Sequence, residues 1–323
     1  MSSVTSQFYI SGEEVRDHIG YAGLIETLDQ MHREDAANLS DLLLSEQGEC
    51  GATNHFMVRA GWQRGHALGV KMASVFPDNR ASDLPAIQAS YVLFDGTTGS
   101  PLASIDGNEL TWRKTAADSA LGSLRLARAN CETLLMVGAG AMAPHLIRAH
   151  ISVRPKIKRI KIWNRSTDRR DRLITSLQPE FDIVATDDLQ DAVSNADLIS
   201  CATMTQQPLI QGEWLSPGCH LDLVGAFTLD MRETDDTAMR RGRVFVDSRK
   251  TTISEIGELA IPIKNGTLHE QDVVADHYQS SGAHHPGRQT EDEITIFKNG
   301  GGGHLDLMTA RYIYDKCLSL IHI

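Results

Sequence analysis

The densest chemical signal in the chain is Val137-Gly138-Ala139-Gly140-Ala141-Met142-Ala143, which follows the apolar run Thr133-Leu134-Leu135-Met136. It reads as a short buried strand, a Gly-x-Gly-x-x-Ala turn and the opening of a helix. A dinucleotide pyrophosphate needs that order. Gly138 permits a tight turn, Gly140 lets the backbone approach the phosphates, and Ala143 keeps helix and strand close. The helix start at Ala141 and Met142 offers free N–H groups and partial positive charge to the anion. Glycine-rich turns also serve plain strand–helix connections, so the reading rests on the flanking strand and helix.

The end of the next strand bears on which nicotinamide cofactor is bound. An acidic residue there would accept from the ribose 2′-OH of NAD and repel a 2′-phosphate. This chain has Asn164-Arg165-Ser166-Thr167, with Arg169 and Arg170 beyond. Arg165 and Arg169 can face a phosphate dianion while Asn164 and the hydroxyls donate further bonds. A solvated turn with Ser166 or Thr167 capping the helix is equally compatible, and both can hold at once. The pattern favours NADP(H) and leaves NAD(H) open.

Positioning these turns requires alternating elements. Strands are expected at 134–137, 160–163, 183–185, 197–202, 220–224 and 243–246, with helices from Ala141 and at 168–177 and 188–193. Pro144 is tolerated in a first helical turn. Such alternation predicts an α/β fold, a Rossmann-type doubly wound parallel sheet over residues 114–303. Residues 1–113 differ in texture. A helical stretch over 13–33 opens at Ser11 and Glu14, which form a capping box. Strand-like runs follow at 53–59, 66–76 and 88–94. Asp95-Gly96-Thr97-Thr98-Gly99-Ser100 is a hairpin signal leading to a strand near 102–105. This is an α+β unit, rejoined over 304–323 by an amphipathic helix at 305–319 after four consecutive glycines.

Composition narrows the partners. A chain of 323 residues can build two cores, and 41% hydrophobic with 23% charged content is ordinary for a soluble globular protein. A net charge of -11 without a basic run argues against nucleic acid or anionic membrane as partner. No apolar run reaches bilayer length, and Met1-Ser2-Ser3-Val4-Thr5-Ser6-Gln7-Phe8 lacks a secretory signal. Cys50, Cys131, Cys201, Cys219 and Cys317 are scattered without a Cys-x-x-Cys pair, as expected of a reducing cytoplasm. The thirteen histidines show no His-Glu-x-x-His spacing, and His284-His285 fall in a Gly/Pro-flanked segment. No metal site is expected.

Further runs lie outside these turns. They are Leu68-Gly69-Val70-Lys71 with Val75-Phe76-Pro77-Asp78-Asn79, Leu93-Phe94-Asp95 with Thr98-Gly99, and Leu110-Thr111-Trp112-Arg113-Lys114-Thr115-Ala116-Ala117. Val246-Asp247-Ser248-Arg249, Glu293-Ile294-Thr295-Ile296-Phe297-Lys298 and Asp306-Leu307 continue the series. With the glycine turn and Asn164-Arg165-Ser166, this ordered set resembles the ornithine cyclodeaminase/mu-crystallin family over nearly the whole chain. The resemblance implies a homodimer built through the N-terminal substrate and dimerisation domain, an imino- or amino-acid substrate, and chemistry at its α-carbon. Family members include cyclodeaminases, ketimine reductases, alanine dehydrogenases and crystallin-like binding proteins, so membership alone does not choose among them.

The same resemblance assigns roles. Lys71 matches the active-site lysine, able to bind a carboxylate or exchange a proton once burial lowers its pKa; otherwise it is a strand-end surface lysine. Strict alignment puts Lys114, beside Thr115, where the family carries an arginine for substrate or cofactor, with Arg113 able to compensate. The family's upstream substrate arginine has no counterpart between Arg33 and Arg59, and Arg59 or Arg64 is the substitute considered. Cyclodeaminases carry an aspartate where Leu223-Val224-Gly225-Ala226-Phe227-Thr228 has Phe227, which cannot accept a proton. Ornithine cyclodeamination is therefore disfavoured, and Phe227 becomes a wall for nicotinamide or an apolar ring. The run from Gly225 to Glu233 resembles the bacterial pyrroline-2-carboxylate reductases. Thr203, Val224 and Asp306 are expected on the cofactor side, and His304 is a weak third proton donor behind Lys71 and water. The expected activity is reduction of Δ1-pyrroline-2-carboxylate to L-proline. An alanine or iminosuccinate dehydrogenase is the runner-up, and a non-catalytic ligand-binding protein the alternative of another class.

Overall fold

The computed structural model describes residues 8–48, 51–82, 84–281 and 287–321. Its contacts divide the chain into two compact units, Met1–Lys114 with Gly302–Ile323 and Thr115–Gly301.

The first unit is a six-stranded sheet. Its strands are β1 (Phe8–Ile10), β2 (Asn38–Gln47), β3 (Thr53–Gln63), β4 (Ala67–Val75), β5 (Ile87–Asp95) and β6 (Pro101–Asp106), in the order β1-β6-β5-β4-β3-β2. Among the described residues of this sheet only β1 pairs in parallel, and the other pairings are antiparallel. Asp95 builds the β5–β6 hairpin by accepting from the Thr97 and Thr98 backbones. The C-terminal helix, Gly303–Ile321, packs against β2, β3, β4 and β5.

Two features depart from the sequence pattern. The helix over 13–33 is broken into α1 (Gly12–His18) and α2 (Tyr21–Met31) at Ile19-Gly20. Arg113, on α3 (Gly107–Leu126), stabilises the break by donating to the carbonyls of Ile19 at 2.7 Å and Arg16 at 3.4 Å. The edge strand β2 was not legible, because it is almost entirely exposed and Leu42-Leu43-Leu44 hides any alternation.

The second unit carries eight parallel strands. They are β7 (Thr133–Val137), β8 (Arg159–Trp163), β9 (Ile183–Ala185), β10 (Leu198–Cys201), β11 (His220–Leu223), β12 (Gly242–Val246), β13 (Val273–Ala275) and β14 (Ile294–Lys298). Their order is β13-β12-β14-β11-β10-β7-β8-β9. Helices α4 (Ala143–Val153), α5 (Thr167–Leu177) and α6 (Leu189–Ser194) provide crossovers. Every residue of β7, β10, β11 and β14 is buried, as a parallel sheet covered on both faces requires. The order runs outward in opposite senses from β7 and β10, and ligands bind outside the carboxyl ends of strands at such a reversal. The strands β13 and β14 were not anticipated; β13 has only three residues, and β14 is uniformly buried without an alternating pattern.

Candidate active site

In the second unit, the carboxyl ends of β7, β8 and β10 surround a cleft of about 700 Å³. Gly138, Ala139, Gly140, Asn164, Arg165, Ser166, Arg169 and Thr203 from the sequence analysis all line it. Gly138 has φ 110°, and a Cβ there would lie 2.7 Å from the Ala202 carbonyl. A Cβ on Gly140 would meet no protein atom and would only occupy cleft space. Asn164 ties the two turns together: its Oδ1 accepts from Ala139 N at 3.1 Å and its Nδ2 donates to Ser166 O at 2.8 Å. Ser166 also caps α5 through Arg169 N, so capping and cleft lining coexist. Ala141 and Met142 lead into α4, and Met142 at its N-cap makes no side-chain capping bond. These residues fit a dinucleotide: an open glycine backbone, an uncapped helix start and two arginines, with no Asp or Glu in the lining among the described residues.

Thr203 lines this cleft, and Gly225 packs against the Thr203 backbone. Sequence reading named Glu233 only as the end of a run, yet its buried carboxylate accepts from both segments: Thr203 N at 2.8 Å, Thr203 Oγ1 at 2.9 Å and Gly225 N at 2.7 Å. Val224 continues the β-type contact through a bond from its N to Cys201 O. Phe227 lies beyond it, 57% exposed. Thr115 is half-buried, and its carbonyl accepts from Asn299 Nδ2 at 2.9 Å.

The first unit holds a separate constellation. Sheet register aligns Asp41, Arg59, Lys71 and Tyr91 in one row across β2, β3, β4 and β5. Asp306 enters from the C-terminal helix. Its Oδ1 lies 3.4 Å from Lys71 Nζ and 3.4 Å from Lys114 Nζ, with all three side chains buried. Burial pulls the Lys71 ammonium down to about 8, opposed by the Asp306 charge and assisted by Lys114 and Arg59. For Asp306, burial acts upward, but Lys114, Lys71 and Arg59 prevail and hold the carboxyl below its ordinary value. Two cations against one anion leave a positive charge unmatched in a desolvated place, which suits a substrate carboxylate. Tyr91 was not foreseen. Its buried hydroxyl makes no hydrogen bond among the described residues, and its ring lies over Gly69, where a Cβ would meet that hydroxyl at 2.4 Å.

Other expected positions are redistributed. Arg59 is in the Lys71 row and bonds Asp41 at 2.8 Å, whereas Arg64 is exposed at the β3–β4 turn. Arg113 is engaged by Glu109 at 3.0 Å, by the α1–α2 carbonyls and over the Tyr21 ring, so its donors serve helix packing rather than a ligand. Asp306, expected on the cofactor side, joins the two lysines in the first unit. His304 is buried with its ring 6.0 Å from that of His32. His284 and His285 lie outside the described residues. No helix among the described residues is long and apolar enough to cross a membrane.

The model of the ornithine cyclodeaminase/mu-crystallin family matches residues 54–320. A Δ1-pyrroline-2-carboxylate reductase of Paracoccus denitrificans is 42% identical over 94% of this chain and 95% of its own. The protein SAR DEFICIENT 4 of Arabidopsis thaliana is 42% identical over 78% of this chain and 79% of its own. Among solved structures, Δ1-pyrroline-2-carboxylate reductase of Thermococcus litoralis, in complex with NADH and L-proline, superposes with TM-score 0.88. It is 26% identical, and the match covers 97% of this chain and 98% of that one.

Proposed function

The chain belongs to the ornithine cyclodeaminase/mu-crystallin family, and from that premise we propose that it is an NAD(P)H-dependent cyclic-ketimine reductase. It converts Δ1-pyrroline-2-carboxylate to L-proline and accepts the six-membered homologue. The observation that carries this reading is the buried Lys71–Asp306–Lys114 cluster. Its unmatched positive charge binds the carboxylate, while Lys71, protonated at neutral pH, gives the ring nitrogen its proton. Bound cofactor supplies the hydride that the α-carbon takes up. Hydride and proton together add across C=N, so no group leaves and no water is consumed. Phe227 agrees with this outcome: an aromatic side chain there neither activates water nor accepts a proton.

The cofactor reading is NADP(H), supported by Arg165, Arg169 and Ser166 in a cleft whose lining carries no acidic residue. The assembly is a homodimer, supported by an exposed apolar face on the first unit's sheet that includes Phe56 and Trp62. The compartment is the cytoplasm, in keeping with Cys131, Cys201, Cys219 and Cys317, all buried as free thiols.

The test is direct. Purified protein receives NADPH or NADH and, in turn, pyrroline-2-carboxylate, piperideine-2-carboxylate, pyruvate with ammonia, and iminosuccinate. Ornithine is assayed separately. Cofactor oxidation with the cyclic substrates is expected. Turnover only with open-chain substrates would make the chain an amino-acid dehydrogenase. Ammonia release from ornithine would overturn the argument from Phe227, and tight NADPH binding without any turnover would leave a binding protein.

A further inference from the structure

We propose that Glu233 is a positioning residue for the nicotinamide end of the cofactor, bracing together the two strand-end segments that form that end of the wall. The proposal rests on the cofactor reading of the cleft. A dinucleotide spans a doubly wound sheet with its adenosine half beyond β7 and β8, leaving the nicotinamide half to the segments beyond β10 and β11. These two strands are register neighbours, Cys201 opposite Leu223. Their continuations approach so closely that a Cβ on Gly225 would lie 2.0 Å from the Thr203 carbonyl oxygen.

Glu233 is fully buried and divides its oxygens between the two segments. Oε1 accepts from Thr203 N at 2.8 Å and Thr203 Oγ1 at 2.9 Å; Oε2 accepts from Gly225 N at 2.7 Å and Ala226 N at 3.4 Å. An ionised carboxylate is the side chain that offers two oxygens purely as acceptors. Because the Thr203 hydroxyl gives its hydrogen to Glu233, a lone pair is what it retains for a ligand such as the nicotinamide carboxamide.

Glu233 is itself held on several sides. Its N–H donates to Glu258 Oε2 at 2.6 Å, and its carbonyl accepts from Leu209 N and Ile210 N. Thr234 fixes the other Glu258 oxygen through both its N–H and its hydroxyl. Burial raises the Glu233 carboxyl above the ordinary carboxylate range; the Lys298 charge from β14 opposes this, and Glu258, on the helix Gly257–Lys264, adds to it. Lys298 is buried as well and donates to Leu223 O at 3.0 Å, at the end of β11. Burying a charge is costly unless it is paired and fully hydrogen-bonded. Four donors from the two wall segments satisfy the Glu233 carboxylate, and the Lys298 charge favours its ionised form.

The test uses the full-length protein and the variants E233Q, E233D and T203V. Affinity is measured for NADPH and for 2′-phospho-ADP-ribose, the same cofactor without its nicotinamide, alongside kcat and KM with a ketimine. In E233Q an amide NH₂ faces one pair of donors, so that segment is repelled. NADPH affinity and kcat should each fall, kcat on the order of 10-fold or more, as misplacement of a reacting group does. Affinity for 2′-phospho-ADP-ribose should hold at the wild-type value, and E233D should recover part of the loss. If E233Q does not fold, T203V, which deletes one of the four donors, should show the same selective pattern at smaller scale. Equal loss for both ligands, or no change in either, would overturn the proposal. A wild type that binds NADPH but reduces no ketimine would remove the substrate reading alone; a selective loss in E233Q would still support the brace.

Discussion

In the proposed reaction Lys71 is the residue on which activity turns, because its ammonium is removed from water and kept charged largely by Asp306. A lysine with its pKa lowered to about 8 is protonated below that pH and deprotonates above it. If Lys71 is the proton donor, kcat is constant below pH 8 and falls tenfold per unit above it; an alkaline limb beginning only near 10 would remove Lys71 from that role. K71M should lower kcat by about 10²- to 10⁴-fold, the usual worth of a general acid, with NADPH affinity unchanged by fluorescence titration. D306N removes the charge that holds the Lys71 proton in place, so the alkaline limb should move to lower pH. A limb that stays in place or moves up would show that Asp306 does not govern Lys71. The same shift has a stability consequence of fixed sign. The unfolded lysine binds its proton more tightly than the folded one, so this group's contribution to stability improves as pH rises from about 8 toward the unperturbed lysine value.

At the scale of elements, the glycine turn, β8 and the α5 cap were legible because each is local: three or four adjacent residues carry the geometry. Gly138 shows how strict that geometry is. A side chain there must adopt φ 110° and press on the Ala202 carbonyl. G138A should therefore cost about 1–3 kcal/mol of backbone strain, read as a lower melting temperature and as lost dinucleotide binding; a variant that binds NADPH normally would contradict the tight-turn role. Arg165 and Arg169 were found for the same local reason, and R165A should weaken NADPH by about 10-fold or more, the worth of one charge-assisted bond, while NADH affinity is preserved. Equal weakening of both would argue against a 2′-phosphate contact. What escaped the sequence was non-local. The row Asp41–Arg59–Lys71–Tyr91 exists only through the register of four strands. The lysines meet Asp306 only because a helix 235 residues after Lys71 packs back on those strands. The partners of Arg113 were hidden for the related reason that Ile19 and Arg16 sit at a helix break that periodicity does not reveal. Glu233 closes its brace across thirty residues, with no spacing rule to announce it.

At the scale of the molecule, the first unit's sheet has two faces of different fate. Register places Asp41, Arg59, Lys71 and Tyr91 on the face toward the C-terminal helix, and therefore Leu42, Leu44, Phe56 and Trp62 on the other. These four remain exposed, Trp62 to 57%, and the groove between Ala60, Trp62, Leu68 and Phe94 measures about 380 Å³. A contiguous apolar face of this kind marks an association surface, and two copies meeting through the same face satisfy the two-fold symmetry that most homo-oligomers adopt. The double variant F56E/W62E puts like charges on both sides of such an interface. Light scattering should then fall from twice the 35.5 kDa chain mass to the single-chain mass. The wild type running at single-chain mass would end the dimer reading outright. The consequence for catalysis follows from strand alternation. Val70 and Met72 sit on the apolar face of β4 on either side of Lys71, so a second copy covering that face would steady the strand that carries the proposed acid. The nucleotide cleft is lined entirely from the second unit. The dissociated variant should therefore keep NADPH affinity and lose turnover. Full turnover by a verified single chain would show that β4 needs no partner to hold Lys71 in place.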